Sequence, residues 1–335
     1  MSKKRESKYD YESIDSGIKD KIITEIEAEI KKKNSNFFKE QDSITIKEKN
    51  WKKDAKGKDI PFAAGVKTII KEICDAKREG DENGEKIIKL SRSDVFGEDN
   101  AEKKIIKAPE ESANVGLEGE SDTKKKIIKA LMWGYPAATM PGSGRGNIIK
   151  ITKGLKKLAA FFDEIKGKNL DGNQIKEKLP NLRVKDVGGL GIATMSKLLY
   201  FFKVSFEGKR CLIYDSNVMR FLNHDDKKLT LCKACYKEYC NMLKRKENVD
   251  TELQEQLKGW VKESKWDDKC YFKYLGLMND LMLQLKTDSE NDLKIKEKIQ
   301  GKSDKEIEEQ IELYMFTKGE ALGGRKRKTT KPSKT

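Results

Sequence analysis

The stretch that most constrains this chain runs from Leu182 to Leu222, LRVKDVGGLGIATMSKLLYFFKVSFEGKRCLIYDSNVMRFL. Val184–Val187 is a short apolar approach, Gly188-Gly189-Leu190-Gly191 is a tight turn, and the apolar spacing predicts a helix over Ile192–Lys203. Glycines let the backbone take positive φ without a Cβ clash. The turn feeds a helix start, where unpaired N–H groups and the positive dipole end can meet an anion. With Val187 and Leu190 pointing inward, this is the layout of a helix-hairpin-helix. Such an element grips a DNA phosphate through backbone amides and needs no particular base sequence.

Asp215 follows Gly191 by 24 residues, in Leu212-Ile213-Tyr214-Asp215-Ser216-Asn217-Val218. An apolar run ends there in an acid that heads a new helix, VMRFL. Helix capping alone would account for an aspartate at that place, and a glycine turn also occurs in nucleotide-binding folds. Together the two signals resemble the hairpin-Gly-Asp superfamily of DNA glycosylases (HhH-GPD), in which a G-h-G hairpin precedes an aspartate in a V-D-x-x-V-x-R setting. Gly189, Leu190 and Gly191 match the hairpin, and Asp215, Val218 and Arg220 match the acid segment. Farther upstream, Trp133-Gly134-Tyr135-Pro136 and Gly144-Arg145-Gly146-Asn147 resemble a bacterial group of 8-oxoguanine DNA glycosylase-fold proteins, some implicated in antiphage defence.

The resemblance implies an all-α, helix-hairpin-helix glycosylase-like fold with a cleft between two helical lobes, flanked by the hairpin and Asp215. It implies excision of a damaged or modified base from double-stranded DNA, either oxidised guanine or a phage-type modified base, leaving an abasic site. Asp215 is the candidate catalytic carboxylate. Gly188, Gly189, Gly191, Ala193, Thr194, Arg145 and Asn217 are candidate DNA contacts, and Trp133, Tyr135 and Phe316 are candidates to stack on the flipped base. Relatives that also nick DNA use a lysine two residues after the second hairpin glycine. Ala193 stands there, which argues for a monofunctional enzyme using water. Lys197 lies four residues further on the same helix face and is a second catalytic candidate, although a solvated helix edge is the simpler expectation for it. A non-catalytic helix-hairpin-helix DNA-binding protein is the competing reading, with Ala193 as its best support.

The rest of the chain sets the context. Charged residues make up 38% and the net charge is +15, which suits a polyanionic partner. There is no long apolar span and no signal-peptide core in Met1–Asp10, so the expectation is a cytoplasmic, nucleoid-associated monomer without membrane contact. A lone histidine, His224, rules out a multi-histidine metal site. Cys232, Cys235 and Cys240 could hold an iron–sulfur cluster or zinc, but they also share one helical face, and no cofactor or metal is expected.

Residues 1–58 read as a polar, helical N-terminal extension, 59–318 as the helical glycosylase-like domain and 319–335 as a basic, disordered tail. Helices are expected at Ile18–Lys33, Val66–Ala76, Thr123–Trp133, Ile148–Ile165, Leu229–Met242, Asp250–Lys262, Tyr271–Leu285 and Glu306–Thr317. Pro109–Asp122, with five acids and no base, reads as a loop, and FFKVSFEGKRCLIY as the best short β candidate.

Overall fold

Among the described residues, apolar spacing of three and four residues is realised mostly as helix, and the fold is mainly α. The computed structural model describes residues 16–32, 43–54, 56–82, 85–96, 115–140, 144–172, 187–223 and 268–322, with Ile14, Phe37 and Gln174 besides. They fall into two compact units, Glu40–Cys211 and Met1–Lys39 with Leu212–Thr335.

In the first unit, α3 (Ala64–Ala76) buries Val66, Ile70, Ile73 and Cys74 along one face. Helix α5 (Val115–Gly134) packs on the short α4 (Arg92–Phe96), on α7 (Leu155–Ile165) and on α8 (Ile192–Phe201). The sequence expectation of a loop through Asp122 is corrected here, because α5 begins at Val115. Gly116 and Gly119 weaken a helix, and the segment is helical in spite of them. The single helix expected over Ile148–Ile165 is two, α6 (Gly146–Lys153) and α7, parted at Gly154. A Cβ on Gly154 would stand 3.0 Å from both Val187 methyls, so the break makes room for the hairpin's apolar approach.

Two small sheets complete this unit. Strands β1 (Ile44–Lys47), β2 (Arg78–Glu82) and β3 (Glu85–Leu90) pair antiparallel in the order β1-β3-β2. Ile46, Ile88 and Leu90 are buried while Thr45, Lys47 and Lys89 alternate outward. The second sheet joins β4 (Asn169–Leu170) parallel to β5 (Ser205–Phe206), which hairpins onto β6 (Lys209–Arg210). Glu207 (φ +46) and Gly208 (φ +81) make the tight turn between them, and this is the segment predicted as the best β candidate.

In the second unit, α1 (Ser16–Ile30) buries Ile22, Ile23, Ile26 and Ile30 and packs on α10 (Asp268–Asn291) and α11 (Leu293–Ile299). The predicted stripe Tyr274, Leu277, Met278 and Leu281 is buried along α10. Asp292 caps α11 by accepting from the Lys294 and Ile295 amides. Helix α9 (Ser216–Asn223) lies against α12 (Asp304–Leu322), which extends the predicted Glu306–Thr317 helix at both ends. Among the described residues no helix is long and apolar enough to cross a membrane. The expected helices over 229–242 and 250–262, with Cys232, Cys235, Cys240 and His224, lie outside the described residues.

Candidate active site

Val187 and Leu190 are buried on either side of an exposed Gly188 and a half-buried Gly189, so the turn is anchored by its apolar residues. Gly189 carries φ +88, and a Cβ there would come within 2.8 Å of the Asn147 carbonyl oxygen and 3.0 Å of its Cα. Conformation and space both demand glycine at 189. Gly191 differs from the expectation of a left-handed glycine: it is extended at φ −89, ψ 170, caps α8, and a Cβ there would meet nothing within 4 Å. Its carbonyl accepts from the Thr194 and Met195 amides. Ala193 is half-buried, and the buried Thr194 hydroxyl bonds the Tyr135 hydroxyl at 2.7 Å.

Lys150 was not anticipated from sequence. It is exposed on α6, and its stem runs beside Gly188, with Cδ 3.6 Å from where a Cβ would stand. That places a cation's stem along the exposed edge of the turn. The only signal in the sequence was a lysine in the helix before the hairpin, one of many. Arg145, a predicted DNA contact, is half-buried and donates from Nη2 to the Asn50 carbonyl at 3.2 Å, tying its turn to α2 (Glu48–Lys52).

The Trp133-Gly134-Tyr135 segment lies across α8. Trp133 meets Phe201 edge-on at 5.3 Å, and the Arg92 guanidinium stacks 5.3 Å from the Trp133 ring. Lys197 is only 4% exposed, which overturns the expected solvated edge. Its stem occupies the space a side chain at 134 would fill, with Cδ 2.8 Å from the position of a Cβ. Its ammonium lies 5.6 Å from the centroid of the Tyr135 ring. Gly134 makes room for the methylenes, and the aromatic face receives the charge. Phe316, the third stacking candidate, is half-buried on α12 in the other unit.

Asp215 is 8% exposed and caps α9. Its Oδ1 accepts from the Asn217 amide at 2.9 Å and the Val218 amide at 3.3 Å, and its carbonyl accepts from the Met219 amide at 2.9 Å. The approach to it is held from α10: the Tyr271 hydroxyl donates to the Leu212 carbonyl at 2.6 Å and the Tyr274 hydroxyl to the Ile213 carbonyl at 2.9 Å. Tyr214 stacks on Tyr274 with centroids 4.6 Å apart. Asn217 accepts from Arg220 at 2.7 Å through its side chain. Its backbone carbonyl lies directly against Gly319 of α12, where any Cβ would overlap it. Tyr271, Tyr274 and Gly319 are thus supports of the candidate carboxylate that sequence reading treated as core or tail. The arrangement holds a carboxylate at a helix N-terminus with one oxygen fixed by amides, a disposition able to stabilise positive charge on a reacting sugar.

Among the described residues no group of three or more His, Cys, Asp or Glu could hold a metal ion, and Cys74 and Cys211 are buried free thiols. Neither curated proteins nor solved structures yield a match to this chain. Residues 39–316 match the family described as "Putative 8-oxoguanine DNA glycosylase OGG-like protein", a span that includes the hairpin, Lys197 and Asp215. The chain belongs to this OGG-like DNA glycosylase family.

Proposed function

We propose that the protein flips a modified base out of double-stranded DNA and hydrolyses its N-glycosidic bond, leaving an abasic site. The observation that carries this reading is Asp215, a buried carboxylate held by two amides at the head of α9. As the bond between base and sugar stretches, positive charge grows on the sugar, and a fixed carboxylate stabilises it without having to reorganise. Water adds to the sugar carbon and supplies the proton that leaves with the base. The reaction needs no cofactor. The hairpin amides around Gly188–Gly191, with Lys150 alongside, are the proposed grip on a phosphate. Flipping costs a few kcal/mol of unstacking, least for a base already weakly paired.

The proposed substrate is an oxidised guanine or a phage-type modified base, in base-excision repair or antiphage defence, acted on by a cytoplasmic, nucleoid-associated monomer. Mass spectrometry of bases released from several genomic DNAs tests this. Release by the wild type and none by Asp215→Asn supports it; equal release by both refutes the assignment of Asp215. Binding without release from any DNA favours the non-catalytic alternative.

A second reading concerns Lys197, because its burial beside Tyr135 removes the simplest reason to dismiss it. With Ala193 at the usual position, the expected product is an intact abasic strand and no covalent adduct on borohydride treatment. An adduct that disappears in Lys197→Met would make the amine a nucleophile and overturn the monofunctional reading.

A further inference from the structure

At one end of the β1-β3-β2 sheet lies a cavity of about 430 Å³, lined among others by Ser43, Lys77, Arg78, Lys89, Ser91 and Asp94. The register explains how they meet. Ile44 pairs with Leu90 and Thr45 with Lys89, so the start of β1 meets the end of β3. Arg78 opens β2 opposite Ile88, next to Lys77 at the end of α3. Cations from two segments, the Lys77-Arg78 junction between α3 and β2 and Lys89 of β3, therefore converge on one space.

The carboxylate in the wall is already committed. Asp94 Oδ2 accepts from the Ser91 amide at 2.8 Å and its hydroxyl at 2.7 Å, and Oδ1 accepts from the Lys77 ammonium. Burial would raise the Asp94 carboxyl, but these bonds from Lys77 and Ser91 outweigh it and hold it below the ordinary range. Asp94 is thus an anchor for Lys77 and a poor ligand for a cation. Arg78 meets Asp75 and Glu48, both through Nη2. Nearby, Lys129 donates to the Asp94 carbonyl at 2.9 Å, and its ammonium is held below the usual range by burial and then by the charge of Lys77. Lys77, Arg78, Lys89 and Lys129 stand here against the carboxylates of Asp94, Asp75 and Glu48.

We propose that this cavity binds a phosphate group, with Lys77, Arg78 and Lys89 as its cations and the Ser43 hydroxyl as a further donor. A tetrahedral phosphate presents acceptor oxygens in several directions, which suits donors arriving from the α3–β2 junction, from β3 and from Ser43 ahead of β1, whereas a planar carboxylate engages one fork. The proposal does not depend on the glycosylase reading. The same chemistry has two sources, a phosphodiester of the DNA backbone and free phosphate, and two measurements on the full chain separate them.

The first is thermal unfolding in inorganic phosphate against chloride at equal ionic strength. The second is the salt dependence of affinity for an unmodified duplex. The variants are Lys89→Gln, at an exposed strand position, and Arg78→Gln, with exposed Lys156→Gln on α7 as control. A free-phosphate site gives saturable stabilisation that Lys89→Gln and Arg78→Gln lose and Lys156→Gln keeps. A DNA-backbone site leaves phosphate without effect but lowers the magnitude of the log–log salt slope by about one in the two site variants and not in the control. Lys89→Arg should behave as wild type in whichever measurement responds. If both site variants match Lys156→Gln in both measurements, the proposal fails. Failure of base release with a surviving phosphate effect would instead refute the glycosylase reading alone.

Discussion

At the scale of single residues, two glycines of one turn do different work. Gly189 combines φ +88 with the Asn147 backbone 2.8 Å from a would-be Cβ, so Gly189→Ala should destabilise the protein by about 2–4 kcal/mol in denaturant unfolding. Gly191 is extended and open, so Gly191→Ala should cost less than about 1 kcal/mol, and any loss of DNA affinity would come from the methyl meeting the phosphate. Equal destabilisation by the two would contradict this division. Asp215→Asn isolates charge from capping, because asparagine caps a helix about as well as aspartate. Stability should stay within about 0.5 kcal/mol while single-turnover base release falls at least about 100-fold and DNA affinity changes little. A large drop in melting temperature would show that the acid serves the fold.

Between elements, the contact that matters most to the candidate carboxylate is α9 on α12. Gly319 lets the Asn217 carbonyl rest on the α12 backbone, and Asn217 is the residue whose amide holds Asp215. A methyl at 319 must push the first turn of α9 aside. Gly319→Ala should therefore cost about 1–3 kcal/mol and lower the rate of base release at saturating enzyme, with DNA affinity nearly unchanged. Wild-type rates in that variant would show that the first turn tolerates displacement. Gly154 works in the same way, ending α6 so that Val187 can approach.

For the molecule as a whole, pH acts on groups that folding has buried. Burial, with the charge of Glu48 adding, pushes the Cys74 thiol up to about 11, and burial with Glu25 and Glu29 raises the Tyr314 hydroxyl. A folded-state value above the unfolded one means stability that is complete below the unfolded pKa and lost as pH rises through the folded one. Between pH of about 8.5 and 11 the loss from Cys74 should reach at most about 3 kcal/mol. Cys74→Ala should flatten that part of an unfolding free-energy profile, leaving the later fall from Tyr314. Asp94 and Glu29 are shifted the other way, so their contribution is present above the ordinary carboxylate range and fades as the pH drops below it. A profile in which Cys74→Ala tracks wild type up to pH of about 11 would remove the thiol from this account.

Periodicity and capping are local, and local features were legible. The α10 stripe, the apolar anchors Val187 and Leu190, the cap at Asp215 and the turn at Glu207-Gly208 can each be read within a dozen residues. What tertiary structure alone decided depends on residues far apart in the chain. Ile44 finds Leu90 across 46 positions, and no pattern in a Lys-rich segment names its partner strand. Lys197 is buried because Gly134 and Tyr135 lie across it, and Gly189 must be glycine because Asn147 arrives behind it. Glycine in a sequence announces freedom, but only the neighbour that occupies the missing Cβ's place shows whether the freedom is used for φ, for close packing or for neither.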